Sequence, residues 1–226
     1  MGEHILPGNP PIALTLRRSA RARRISLRVS ATDGRVTLTL PRGLAEREAL
    51  DFARSKQDWL QGHLEARKAE VQAIPGALIP VEGQMLRIEA GTGKRVTAEG
   101  DRLIVPGGQP ARLQAWLKTL ARDRLATASD RYAAALGRPY GKLTLRDTRS
   151  RWGSCSSSAG LSYSWRLIMA PPEVLDYVAA HEVAHLDQMN HSPAFWAAVA
   201  RLMPDYAEHR QWLRRNGTEL HRFRFD

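Results

Sequence analysis

The sequence predicts an α+β fold. A β-rich N-terminal part with a long helix spans residues 1–108, and residues 109–226 form helices around a small antiparallel sheet. Three observations predict it. Residues 25–40 and 78–105 alternate apolar and polar with a period of two, the pattern of half-buried strands. Residues 44–73 and 111–136 repeat apolar side chains every three or four positions, one face of a helix. Pro106-Gly107-Gly108-Gln109-Pro110 interrupts both patterns and reads as a linker between two domains.

Residues 1–11 are rich in Gly and Pro and read as a loose arm. Strands follow at 12–16, 24–29 and 36–40, with Asp33-Gly34 as the hairpin turn between the last two. Leu44, Ala49, Phe52, Ala53, Trp59, Leu60 and Leu64 then mark a helix to about residue 73, with Gly62 as its weak point. Short strands are expected at 77–81, 84–89, 95–99 and 101–105, and a helix at 111–136 closed by Gly137. Strands at 143–148 and 161–165 precede Pro171-Pro172-Glu173, where proline suits the first helical turn and the acid complements the dipole. Ser192-Pro193 has the residues of an N-cap and N1 for the next helix. A last helix, 205–215, ends at Asn216-Gly217, a left-handed cap signal.

The chain carries 34 Lys+Arg against 23 Asp+Glu, a net charge of +11, with ordinary hydrophobic (43%) and charged (25%) shares. That balance fits a soluble globular protein and invites an anionic partner. Arg17, Arg18, Arg21, Arg23 and Arg24 follow one another without an acid between them, and Arg21, Arg23 and Arg24 are candidate nucleic-acid contacts. The alternative is a solvated loop beside an edge strand. Cys155 is the one cysteine, so no internal disulfide forms and a reducing compartment fits. No secretory leader and no run of 18 apolar residues is seen, so the expected location is the cytoplasm, without a membrane partner.

Residues 181–185 spell His181-Glu182-Val183-Ala184-His185. Residues four apart share a helix face, so two imidazoles can reach one ion, with Glu182 about 100° further round. With 7 His in the chain, chance gives such a motif on the order of once in a hundred chains of this kind. The flanking Val174, Leu175, Val178, Ala179, Val183, Leu186 and Met189 make this helix apolar nearly all round, so its histidines and Glu182 are expected inside or in a cleft. Buried imidazoles and a buried carboxylate are costly unless something binds them, and a metal does. His191, six residues past His185, is the expected third ligand of a single zinc ion, with Glu208 as the alternative. The helix lacks a glycine at Gln188, so the return to His191 is expected to pass through Asn190 in a left-handed conformation. Such a site hydrolyses peptide bonds with a zinc-activated water and Glu182 as general base.

Arg151-Trp152-Gly153-Ser154-Cys155, Trp165-Arg166-Leu167, residues 170–178, the His181–His185 helix, Asn190-His191-Ser192-Pro193 and Phe195-Trp196 together resemble the YgjP-like zinc metallopeptidase family, itself related to the SprT-like and Wss-like proteases. The resemblance extends over nearly the whole chain. It implies a minimal zincin-like metallopeptidase domain in the second half, with His181, His185 and His191 as ligands and Glu182 as the catalytic residue.

Around that core, Arg151, Trp152, Gly153 and Ser154 are candidate substrate contacts on an edge strand, where an extended peptide adds by backbone hydrogen bonds. Trp152 packing beneath the motif helix is the structural alternative. Tyr177, one turn before His181, is a candidate oxyanion stabiliser or a core residue. Cys155 is a packing thiol or a latent zinc ligand, and His209 a surface residue that can reach the site. Three functions compete: a zinc peptidase acting on proteins or peptides, a protease recruited to nucleic acid, and a non-catalytic zinc-stabilised binding module.

Overall fold

A computed structural model describes residues 2–30, 33–66 and 68–226. The chain divides into two compact units, Met1–Ala69 and Glu70–Asp226.

The first unit is a four-stranded sheet with two helices. Its strands are β1 (Gly2–Leu6), β2 (Ile12–Ser19), β3 (Ser26–Val29) and β4 (Val36–Pro41), in the order β1-β2-β4-β3. β2 and β4 run parallel, and the outer pairs are antiparallel. The alternation has its expected consequence. Ile12, Leu14 and Leu16 on β2 and Val36, Leu38 and Leu40 on β4 all face one core with Ala49, Ala53 and Leu60. The N-terminal arm is not loose: β1 pairs along β2 with Leu6 opposite Ile12, and Leu6 is buried in the same core. The helical stretch is two helices, α1 (Glu46–Ser55) and α2 (Gln57–Glu65). They break at Lys56, which leaves the helical region at φ −110°, while Gly62 lies inside α2. The β3–β4 hairpin forms, with Gly34 at φ 71° and its N–H on the Ser30 carbonyl; two residues of its loop, 31 and 32, lie outside the described residues.

The second unit opens on β5 (Val71–Gln72), followed by β6 (Leu78–Val81), β7 (Gln84–Gly91), β8 (Thr97–Glu99) and β9 (Arg102–Pro106). β6 to β9 form a sheet in the order β6-β7-β9-β8. α3 (Pro110–Leu136) follows. The expected boundary at 108/109 is therefore displaced. Leu103 and Val105 of β9 share one core with Leu113 and Leu117 of α3, so the Gly107-Gly108 turn joins neighbours instead of linking domains. Both glycines take φ +62°, a left-handed conformation that glycine adopts without a side-chain clash.

A smaller sheet of β10 (Leu143–Arg146), β11 (Gly153–Cys155) and β12 (Leu161–Ser164) has the order β10-β12-β11. It is mixed where an antiparallel sheet was expected, because β10 runs parallel to β12. β11 is an edge strand. α4 (Pro172–Ala184), α5 (Pro193–Leu202), α6 (Tyr206–Asn216) and β13 (Phe223–Arg224) complete the unit. α4 has Pro172 at its start and Glu173 in its first turn, and it is buried nearly all round, with Val174, Leu175, Val178, Ala179, Ala180 and Val183 in the core. Ser192 caps α5 by accepting from the Phe195 N–H at 3.4 Å. Asn216-Gly217 is not a left-handed cap. Gly217 is right-handed at φ −57° and continues into a 3-10 turn, 217–221. A Cβ there would lie 3.0 Å from the Trp152 ring, so this glycine supplies room, not handedness. β13 returns beside β5, closing the unit between its first and last strands.

Candidate metal centre

α4 carries His181 and Glu182, and His185 is its C-cap, still in right-handed geometry at φ −65°. One turn apart, the two imidazole rings have centroids 5.1 Å from each other. The chain then unwinds tightly: Leu186 N–H donates to the Val183 carbonyl, and the N–H groups of Asp187 and Gln188 both donate to Ala184. This turn points the Gln188 carbonyl back at His185 Nδ1, 2.9 Å away. A carbonyl only accepts, so Nδ1 carries the proton and Nε2 keeps its lone pair for a ligand.

His191 completes the group. Its Nε2 lies 3.1 Å from His181 Nε2, and ligand atoms of all three histidines fall within 4.8 Å of one another. The return to His191 does not use a left-handed Asn190; among the described non-glycine residues, only Glu82 and Ala159 have positive φ. Instead the Asn190 side-chain carbonyl accepts from the Ser192 N–H at 3.1 Å, turning the backbone directly into the cap of α5.

The donor set fits one metal ion. Nitrogens bound tetrahedrally at 2.0–2.1 Å from zinc are about 3.3 Å apart, close to the His181–His191 spacing. Two of the imidazoles, those of His181 and His185, are also held towards their neutral form. Burial, reinforced by the neighbouring His185, His191 and Arg210, pulls His181 down to about 3, and burial likewise lowers His185. His185 is buried, His181 half-buried and His191 exposed, so the group is walled on the α4 side and open on the His191 side. Phe195 packs on all three rings, at 4.4–4.9 Å.

Glu182 points to a cavity of about 220 Å³ lined by Arg151, Trp152, Gly153, Tyr177, Val178, His181, Glu182 and Leu213. Glu182 is 5% exposed, and burial pushes its carboxyl up to about 8, against a downward pull from Arg151. Gly153 makes this position available. A Cβ on it would meet Glu182 Cγ and Oε1 at 2.5 Å. The expectation of Gly153 as a substrate contact did not foresee this; the signal was a glycine on a strand next to the motif helix.

Arg151, Trp152 and Tyr177 line the same cavity, whereas Ser154 is not among its lining residues and pairs with Ser162 in the sheet. Tyr177 is buried, 5.9 Å from His181 and 6.4 Å from Tyr206 between ring centroids, and burial pushes its phenol up to about 12. Trp152 stacks on His221 at 5.0 Å, a support that sequence spacing gave no hint of. Glu208 is exposed and outside the three-histidine group. His209 pairs with the Asp205 carboxylate at 3.2 Å. Cys155 also lies outside the group; its thiol is raised by burial and by the Glu182 charge. Arg21, Arg23 and Arg24 are exposed in the β2–β3 connection of the first unit.

Residues 23–216 match the family model described as YgjP-like, metallopeptidase domain, and the chain belongs to that family. No curated protein and no solved structure matches it.

Proposed function

We propose that this protein is a zinc-dependent peptidase in which His181, His185 and His191 hold one zinc ion and Glu182 is the general base. The observation that carries the reading is the convergence of three imidazoles, with the buried Glu182 carboxyl sharing a cavity with His181 in space that Gly153 leaves free. Held by these three imidazoles, a zinc ion would lower the pKa of a bound water towards about 7 and polarise a carbonyl oxygen. Glu182 enters as a carboxylate, the form a neighbouring dication favours. It accepts the attacking water's proton on a carboxylate oxygen and delivers it to the leaving amine nitrogen. The Tyr177 hydroxyl, kept protonated by burial, would donate a hydrogen bond to the oxyanion. The edge of β11 offers its backbone to an extended peptide, with Arg151 and Trp152 at its entrance. The lone thiol of Cys155 suits the reducing cytoplasm.

Metal removal tests this directly. Chelation abolishes hydrolysis of a denatured protein substrate, and one equivalent of zinc per chain restores it. His191→Ala lowers zinc affinity by roughly ten- to a hundredfold or more; unchanged affinity contradicts the ligand set. A second reading, recruitment to nucleic acid, is favoured by the exposed Arg21, Arg23 and Arg24. It predicts salt-dependent duplex binding that is lost when all three become Gln, and no binding at low salt removes it.

A further inference from the structure

Tyr206, Arg210, Leu213, Arg214 and Gly217 follow one another at helical spacing, and at 100° per residue they share an arc of about 100° on one side of α6. That side faces the site: Tyr206 stacks with Tyr177, Leu213 lines the cavity, and Gly217 lies against Trp152. Arg210 and Arg214 therefore lie on the helix face that is turned to the same cleft, beside Leu213. Arg210 is half-buried, with its guanidinium 4.2 Å above the Trp196 ring, and that ring stacks in turn on His191. The charges are felt at the site, Arg210 by His181 and Tyr177, and Arg214 by Tyr177. Arg151 lines the cleft from the β11 side, with Glu182 the only acid in its wall.

Some arginines of this unit carry an ion pair: Arg124 with Glu82, Arg131 with Asp176, Arg138 with Asp187, Arg166 with Asp147. Arg151, Arg210 and Arg214 have no carboxylate within ion-pair distance among the described residues. Arg151 in the cleft wall, and Arg210 and Arg214 on the helix face turned to it, none held by an ion-pair carboxylate among the described residues, suit an anion, since the planar fork matches carboxylate and phosphate alike.

We propose that the cleft receives substrates bearing an anionic group, a carboxylate or a phosphate, beside the bond to be cut, held by Arg151, Arg210 and Arg214. This rests on the peptidase reading above and supplies its substrate class.

The test is binding, which does not require turnover. Zinc-loaded Glu182→Gln protein is titrated at near-physiological salt with labelled peptide sets in which one residue, moved along the sequence, is Glu or Gln, or phosphoserine or Ser. The charged member is expected to bind roughly ten- to a hundredfold tighter at one position, and the larger of the two ratios identifies the anion. Arg210→Gln and Arg151→Gln bring the ratio close to one, and Arg210→Lys restores part of it. Arg215→Gln removes the same charge from the opposite side of α6 and leaves the ratio unchanged. Equal affinity for charged and neutral peptides overturns the proposal, as does a ratio that falls equally in Arg215→Gln. Cleavage of the same peptides by the wild type is scored separately. Charge-selective binding without any cleavage contradicts the peptidase reading alone; cleavage without charge selectivity contradicts this one alone.

Discussion

At the residue scale, the chemistry depends on a glycine as much as on the titratable groups. Gly153 has ordinary backbone geometry, so replacing it by Ala adds no backbone strain; the methyl instead collides with the Glu182 carboxyl at 2.5 Å. Gly153→Ala is expected to slow peptide hydrolysis by about ten- to a hundredfold, since displacing the base by an ångström costs rates of that order. Zinc content stays at one per chain, measured by metal analysis beside kcat. The close group of His181, His185 and His191 was legible because H-E-x-x-H expresses helix geometry in sequence. The space for Glu182 was not, because it depends on how β11 meets α4.

At the element scale, the site depends on how its helices end. His191, the proposed third ligand, immediately precedes the Ser192 cap of α5. Ser192→Ala removes the acceptor for the Phe195 N–H and is expected to cost about 1 kcal/mol, with a further loss of zinc affinity as His191 loosens. Urea melts with and without zinc separate the two effects. Arg166 does a similar job for the C-terminal segment. It is 7% exposed, donates to Asp147 at 2.6 and 3.2 Å, and donates again to the Leu220 and Phe223 carbonyls. Those bonds fix the segment that puts His221 beneath Trp152. Arg166→Met leaves two buried carbonyls without their donor and is expected to destabilise by about 3 kcal/mol; Asp147 is half-exposed and softens the loss. The helices were legible from their periodicity and their Ser-Pro and Pro-Glu starts. The pairing of β13 with β5 joins residues some 150 apart, and two-residue strands leave no periodic trace. The Asn190 turn was misjudged for a related reason. A side-chain acceptor for the Ser192 N–H did the work expected of a left-handed backbone.

At the scale of the whole molecule, the two-part organisation was legible but its division was not. The glycine- and proline-rich stretch before α3 has the composition of a linker, yet the residues on either side of it bury into one core. The division at Ala69/Glu70 has no such punctuation. Stability against pH reads the buried histidines of the second unit. Burial, helped by Arg166, holds His221 down at about 4 in the folded chain, against 6.5 when exposed. Between those values the unfolded chain takes up a proton that the folded one refuses, so the contribution is complete above pH 6.5 and is lost as pH falls towards 4. Replacing His221 by Gln is expected to reduce the stability lost between pH 7 and 5 by about 2 kcal/mol in urea unfolding. Glu182 acts with the opposite sign in the metal-free chain. Its raised value stabilises below the ordinary carboxyl range, and that contribution fades as pH rises through about 8, so the comparison of wild type with variant isolates His221.

The most direct test of the central claim is zinc content and peptide hydrolysis measured together on Glu182→Gln. The imidazole ligands are untouched by this change, so one zinc per chain remains, while hydrolysis falls about a thousandfold or more, within the range for removing a general base. Retained zinc with undiminished hydrolysis would contradict Glu182 as the base, and retained zinc with no hydrolysis in the wild type either would leave a zinc-stabilised binding module.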